Sequence, residues 1–320
     1  MVICTRDRAH ELGDCLQAIA RLRYPRFEVL VVENGPPDAR TQGVAEWHGA
    51  RYLNCPRLGL SRARNAGARA CHTDLVAYLD DDARPHPDWL AALACEFADP
   101  LVMAVGGEEL RPISQCEMER LAAQPAHCAG GKRRPARNIG PDTREWFALT
   151  NFGGCGCGCS MAFRRAAFDV WRGFDERLGR GAPLDSAEET RAFFELVECG
   201  YRCVHTPDAV VWHPGPQSPE EWRRFNLHNM TNAIAYAALL GYEFPRFRRQ
   251  LLLYLLRRNS SNRRRARAES GVPQLSLREK LRVIAGGLRL YSRIPRPSRP
   301  AAPIAVPARK AFGAPNARTK

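Results

Sequence analysis

Short apolar runs alternate with stretches of helical spacing along residues 1–215. "MVICT" (1–5) reads as a strand, and residues 9–22 as a helix with Leu12, Leu16, Ile19 and Leu22 near one face. "FEVLVVEN" (27–34) is almost wholly apolar, as strands buried on both faces are, and "ARYLN" (50–54) reads as a third strand. A helix is predicted over 59–72, starting near Ser61, a strand over 75–80 that ends in acid, a helix over 86–99 and a strand over 101–110. Alternation of this length implies a parallel sheet covered on both faces.

Residues 112–150 lack a period, and Gly130–Pro135 reads as a mobile loop. A strand turning into a helix is expected over 160–168, and a helix over 188–200 stopped by Gly200. Two strand-like runs flank Pro207 within 201–213, and 219–258 is helical. Beyond 259 the chain reads as basic linker and disordered tail, interrupted by one amphipathic helix near 277–292. The expected division is a body over 1–215, a helical appendage over 216–295 and a disordered basic tail over 296–320.

Composition adds one point. The 320 residues carry a net charge of +14, yet residues 246–320 hold 20 of the 48 Lys and Arg and only 2 of the 34 Asp and Glu. Residues 1–245 are left with 28 bases against 32 acids, so the basic character belongs to the tail. Such a tail suits an anionic surface. Nucleic acid is not expected, because no groove-reading or aromatic-interleaved motif accompanies the charge. The run Leu251–Leu256 between arginines suits a helix lying in a membrane interface, with a helix packed on the body as the plainer alternative. No uncharged apolar run reaches membrane-spanning length. The 12 cysteines read as free thiols in a reducing cytosol. The chain opens directly on a strand-like run rather than a signal peptide, and the first strand lacks a lead-in, which leaves an upstream start open.

The chemistry concentrates in Asp80-Asp81-Asp82, at the end of the strand over 75–80. Ligands of open α/β sheets sit outside the carboxyl ends of strands. Three adjacent carboxylates there repel one another unless a cation or donors satisfy them, and a hard divalent ion does so. A solvated turn is the structural alternative. Cys155, Cys157 and Cys159 alternate as on one face of a strand, but the spacing is not that of a zinc finger, and a small-residue loop beside the substrate is the better expectation.

"YLDDDARPHPDWL" resembles the DxD region of inverting family 2 glycosyltransferases of the GT-A fold. "VICTRDR", "LVVENG", "GLSRARNAG", "GGCGCGCSMAFRR", "GFDERLG", an acidic pair and "PDAVVWH" follow the family's order across about residues 1–215. The resemblance implies an α/β, GT-A type, Rossmann-like nucleotide-sugar-binding domain with a central, mostly parallel sheet, followed here by a basic helical appendage. It implies transfer of a sugar from a nucleotide-sugar to an acceptor hydroxyl with a divalent metal (Mn²⁺ or Mg²⁺), in cell-surface polysaccharide or glycoconjugate synthesis. Glycan, lipid-linked or small-molecule acceptors fit it. The free thiols place the protein in the cytoplasm, and the basic tail adds peripheral contact at the inner face of an anionic membrane.

Residue by residue, the resemblance puts Thr5, Arg6, Glu33, Arg62, Asn65, Asp80 and Asp81 against the donor. Asp82, Asp80 and His213 fall to the metal, and Glu189 is the general base with Glu188 as its alternative. Asp175 falls in the segment before the acidic pair, either shaping the acceptor site or forming a turn. Glu33 and Glu189 stand where Asp is usual. The acidic pair also lies where a helix N-terminus favours negative charge, which explains it without catalysis. A non-catalytic nucleotide- or glycan-binding relative is the main rival, and a nucleotidyltransferase fits poorly because "CTRDRAHEL" is a weak phosphate loop.

Overall fold

The computed structural model describes residues 1–111, 114–126, 135–254 and 275–296. Its strands are β1 (Val2–Thr5), β2 (Leu30–Asn34), β3 (Arg51–Cys55), β4 (Leu75–Asp80), β5 (Arg84–Pro85), β6 (Val102–Leu110), β7 (Arg137–Ile139), β8 (Ser160–Arg164) and β9 (Arg202–Trp212). They form one sheet in the order β3-β2-β1-β4-β8-β6-β9-β5, with β7 also on β9. β1, β2, β3, β4, β6 and β9 run one way, and β5, β7 and β8 the other. The mostly parallel sheet expected from the alternation is present.

Helices α1 (Ala9–Ile19), α2 (Ala39–Trp47), α3 (Leu60–Ala70) and α4 (Trp89–Cys95) follow the first strands. Further along come α5 (Gln115–Ala122), α6 (Trp146–Asn151), α7 (Ala167–Trp171) and α8 (Glu188–Glu198). The long α9 (Pro219–Glu243) and α10 (Leu277–Arg293) close the described chain. Leu12, Leu16 and Ile19 of α1 pack with Ile3, Val31 and Leu79 on one sheet face. Val2, Val32, Tyr78, Met161 and Phe163 form the other face with Phe193 and Leu196 of α8. The strands are near-continuous apolar runs because both faces are covered.

Several expectations change in detail. Residues 112–150 are less irregular than the sequence implied, since they carry α5, β7 and α6; the expected loop at Gly130–Pro135 lies outside the described residues except for Pro135. The two runs around Pro207 are one strand, β9, whose register against β6 shifts between Gly106 and Glu108. Such an irregularity is where a strand tolerates a residue with no N–H to donate. Cys155, Cys157 and Cys159 do not share a strand face. They lie in the loop before β8, and Cys155 packs in one core cluster while Cys157 and Cys159 join the opposite one. Gly106 makes this crossing possible: a Cβ there would stand 1.8 Å from the Cys155 carbonyl oxygen. The helical reading of 219–258 breaks at Pro245 after α9, and 255–258 are outside the described residues.

Candidate active site

The strand ends converge. β1 and β4 are neighbours in register, Cys4 against Asp80, so Thr5 and the acidic turn emerge side by side. Thr5 donates its hydroxyl to Asp81 at 2.7 Å, and Arg8 reaches Asp81 at 2.9 Å and Asp82 at 2.6 Å. Thr5 and Asp81 are buried and meet each other, bracing the turn. Burial lifts the Asp81 carboxyl to about 6 against the pull of Thr5 and Arg8. Burial would lift Asp82 also, but His213 and Arg8 outweigh it and hold that group near 2.

His213, just past β9, faces the same turn from across the sheet. Its Nε2 lies 3.1 Å from Asp82 Oδ1 and 3.9 Å from Asp80 Oδ2, and its Nδ1 lies 3.2 Å from Glu109 of β6. Asp80, Asp82 and His213 each offer one ligand atom, all within 4.8 Å of one another. Two carboxylate oxygens and an imidazole nitrogen form a donor set that suits Mg²⁺ or Mn²⁺. The local charge also favours a cation: Asp80, Asp81, Asp82, Glu109, Glu188 and Glu189 face Arg8, Arg64, Arg111 and His213. Burial disfavours a charged His213, yet Asp82 and Glu109 raise the imidazole to about 10. The position where that proton sits is the one a metal ion would take.

Arg64 links this turn to the acidic pair. Ser61, Arg64, Asn65 and Ala68 form the buried face of α3 at helical spacing. Arg64 bonds Glu188 at 2.7 Å, the Gly158 carbonyl at 3.0 Å and Asp80 at 3.4 Å. Glu188 and Glu189 open α8 behind Ala187, a non-glycine residue in the left-handed region at φ 73°. That conformation costs about 1–3 kcal/mol and fixes the direction in which the pair leaves the turn. Glu188 is committed to Arg64. Glu189 makes no ion pair among the described residues and lies beside Gly158, where an added Cβ would be 3.7 Å from its carboxyl carbon. Burial, with the adjacent Glu188 carboxylate, raises the Glu189 carboxyl well above the usual glutamate range.

The remaining sequence candidates are placed as follows. Arg62 turns away from Arg64 and pairs with Glu176 at 2.5 Å. Asn65 clamps the Phe174 backbone, donating to its carbonyl and accepting from its N–H at 2.8 Å each. Arg6 is half-exposed and pairs with Asp7. Glu33 is buried near the end of β2 beside the Thr41 and Tyr52 hydroxyls, and its Oε2 meets no hydrogen-bond partner at full bonding geometry among the described residues. Asp175 accepts from the Arg177 backbone and guanidinium, so it forms a turn. Sequence reasoning missed Arg8, Arg64 and Glu109. The i, i+3, i+4, i+7 spacing of Ser61, Arg64, Asn65 and Ala68 was the available signal for Arg64; Arg8 and Glu109 had none, because their partners are remote in sequence.

A family model described as "Glycosyl transferase family 2" matches residues 1–171. The chain belongs to this family. Curated relatives include a pre-mycofactocin glycosyltransferase of Mycobacterium tuberculosis, 27% identical over 227 residues, which cover 69% of this chain and 44% of that protein. An N-acetylglucosaminyltransferase of Bradyrhizobium diazoefficiens is 26% identical over 241 residues, 71% of this chain and 47% of that protein. This glycosyltransferase family 2 chain thus spans about half the length of the curated relatives it matches. The mannosyltransferase PcManGT from Pyrobaculum calidifontis, solved with GDP-Man and Mn²⁺, superposes with TM-score 0.56 at 20% identity, covering 90% of this chain and 79% of that one. S. aureus TarS with UDP-GlcNAc gives 0.53 at 15% identity, covering 92% and 81%. These likenesses assign the GT-A fold.

Proposed function

We propose that the protein transfers a sugar from a nucleotide-sugar to an acceptor hydroxyl by a single, inverting displacement. The observation that carries this reading is the meeting of Asp80, Asp82 and His213 at the strand ends, joined through Arg64 to the acidic pair of α8. Asp80, Asp82 and His213 would hold a divalent cation, which when bound would neutralise charge on the departing diphosphate. Glu189 takes the proton of the acceptor hydroxyl as it attacks the anomeric carbon. Glu188 and Arg64 position that base, and Thr5 and Asp81 hold the turn. Glu33, Arg6 and Arg62 face the donor, with the Glu33 Oε2 free to accept from it, since no donor among the described residues takes that atom.

The reaction serves cell-surface polysaccharide or glycoconjugate synthesis, with a glycan, lipid-linked or small-molecule acceptor. Residues 1–215 form the transferase body, 216–295, which carries α9 and α10, an appendage that meets the cytoplasmic face of an anionic membrane, and 296–320 the basic tail. No helix among the described residues is long and apolar enough to cross a membrane.

The test is thermal stability of the purified chain with UDP-, GDP- and dTDP-sugars, with and without Mn²⁺. Stabilisation by one nucleotide class that needs the metal and disappears in Asp82→Ala is expected. Folded protein that no nucleotide stabilises would overturn the reading.

Two further outcomes follow. Glu33→Gln keeps the shape of the pocket but replaces an acceptor oxygen with a donor, and is expected to weaken nucleotide binding by about 1–3 kcal/mol. Titration calorimetry checks it, and unchanged affinity would remove Glu33 from the donor site. Glu109 acts on the metal through His213, since its bond to Nδ1 sets which way Nε2 points. Glu109→Gln is expected to weaken Mn²⁺ binding about 10–100-fold, read as bound Mn²⁺ by electron paramagnetic resonance. Full affinity would leave His213 oriented by β9 alone.

A further inference from the structure

α10 carries two faces of different kinds. Val283 and Gly287 are buried against α9, where a Cβ on Gly287 would stand 2.7 Å from the Ile234 side chain. The N-terminus is capped by Ser276 with Glu279, and Glu279 also pairs with Arg223 of α9. The helix is therefore docked and oriented, and a second face is left over. Leu277, Leu281, Ile284 and Leu288 recur at i, i+4, i+7 and i+11, which aligns them in one stripe. They are 72%, 57%, 46% and 51% exposed. Four large aliphatic residues in line on a docked helix far exceed the scattered exposure of an ordinary surface.

Charge identifies what covers the stripe. Arg278, Lys280, Arg282, Arg289 and Arg293 lie on the same helix, whose one acid, Glu279, is engaged by the cap and by Arg223. At 100° per residue Arg278 borders the stripe on one side and Lys280 on the other. Leu252 and Leu253, also exposed, extend apolar surface from the segment after α9, and Tyr291 of α10 lines one groove with Leu252. An apolar stripe edged by cations fits the headgroup boundary of an anionic bilayer, with leucines below and guanidinium groups at phosphate level.

We propose that the Leu277–Leu281–Ile284–Leu288 face of α10 is the surface by which the protein lies on anionic lipid. This rests on the peripheral placement proposed above and relocates its contact. The run Leu251–Leu256 was the sequence candidate, but Leu251 is buried in the core formed by α9, Tyr254 stacks on Phe152 at 3.8 Å, and residues 255 and 256 are outside the described residues.

Flotation of the full chain with phosphatidylglycerol and with phosphatidylcholine vesicles tests it, alongside Leu281→Glu/Ile284→Glu and a Trp47→Glu control at a remote exposed residue. Flotation with phosphatidylglycerol is expected, reduced by added salt. The double variant should partition about tenfold or more less well, while Trp47→Glu floats like the parent. Equal flotation of parent and double variant would overturn the assignment of the stripe while leaving membrane placement standing. Absence of flotation for the parent would overturn both. A parent that elutes as a dimer, with a double variant that elutes as a monomer, would make the stripe a contact between two copies and also overturn the proposal. Metal-dependent nucleotide stabilisation, measured on the same samples, is independent of each outcome.

Discussion

Glu189→Gln is expected to lower kcat by about 10²–10⁴-fold while leaving donor affinity and thermal stability near those of the parent. The substitution keeps size and shape and removes the ability to take a proton. Affinity is spared because Glu189 forms no ion pair among the described residues and is not one of Asp80, Asp82 and His213, which offer their ligand atoms together. Glu188→Gln is the instructive comparison. It breaks the partner of a buried guanidinium, so it should cost stability as well as turnover. A Glu189→Gln variant with parental kcat, in protein that binds donor, would remove Glu189 from catalysis.

The same residue sets the expected pH profile. Its folded-state carboxyl is raised, chiefly by burial and then by Glu188. Catalysis by a base needs the deprotonated form, so the acid limb of kcat/KM should lie above the ordinary glutamate range. Activity should fall as pH drops through that raised value. Loss of the limb in Glu189→Gln assigns it; an unchanged limb would place it on another group.

The largest stability effect is expected at Glu243. This carboxylate ends α9 in the core and accepts from Arg177 at 2.6 Å and from Arg191 of α8 at 2.7 Å. Arg191 is itself buried, and its Nη1 has no hydrogen-bond partner among the described residues. Glu243→Ala would remove the carboxylate that two guanidinium groups share, leaving Arg177 with Asp175 and the buried Arg191 with Glu195 alone. Breaking one partner of a buried pair costs about 3–5 kcal/mol, against the 5–15 kcal/mol that holds a typical domain folded. Urea unfolding measures it, and a loss below about 1 kcal/mol would mean that solvent reaches Arg191 once the carboxylate is gone. Because Arg191 lies on the helix that opens with Glu188 and Glu189, α9 and the acidic pair share this support.

Much of this protein is legible from local pattern. β4 is read to the residue because a strand buried on both faces must be apolar throughout, and its apolar run stops at Asp80. The acidic pair is placed at the start of a helix by the periodicity from Glu188 and by Gly200 just past its end. The stretch 112–150 resisted, since α6 and β7 are short and owe their shape to what they pack on; Trp146 stacks on Phe194 and meets Phe247, neither near it in sequence.

The sequence by itself determined most of the elements of residues 1–110, the charged turn after β4 and the family motifs, whereas α2, β5, α5, β7 and α6 were not legible in it. Only the tertiary structure decided which side chains meet there. His213 reaches Asp82 because β9 lies in the same sheet as β4, with β8 and β6 between them; β8, later in the chain than β6, lies next to β4. Glu109, Arg8 and Arg64 enter by the same route, each bonded to a partner that strand order delivers. Local periodicity reports which face of an element is buried. It carries no information on which buried faces become neighbours, because that choice is made by the packing energy of the whole sheet.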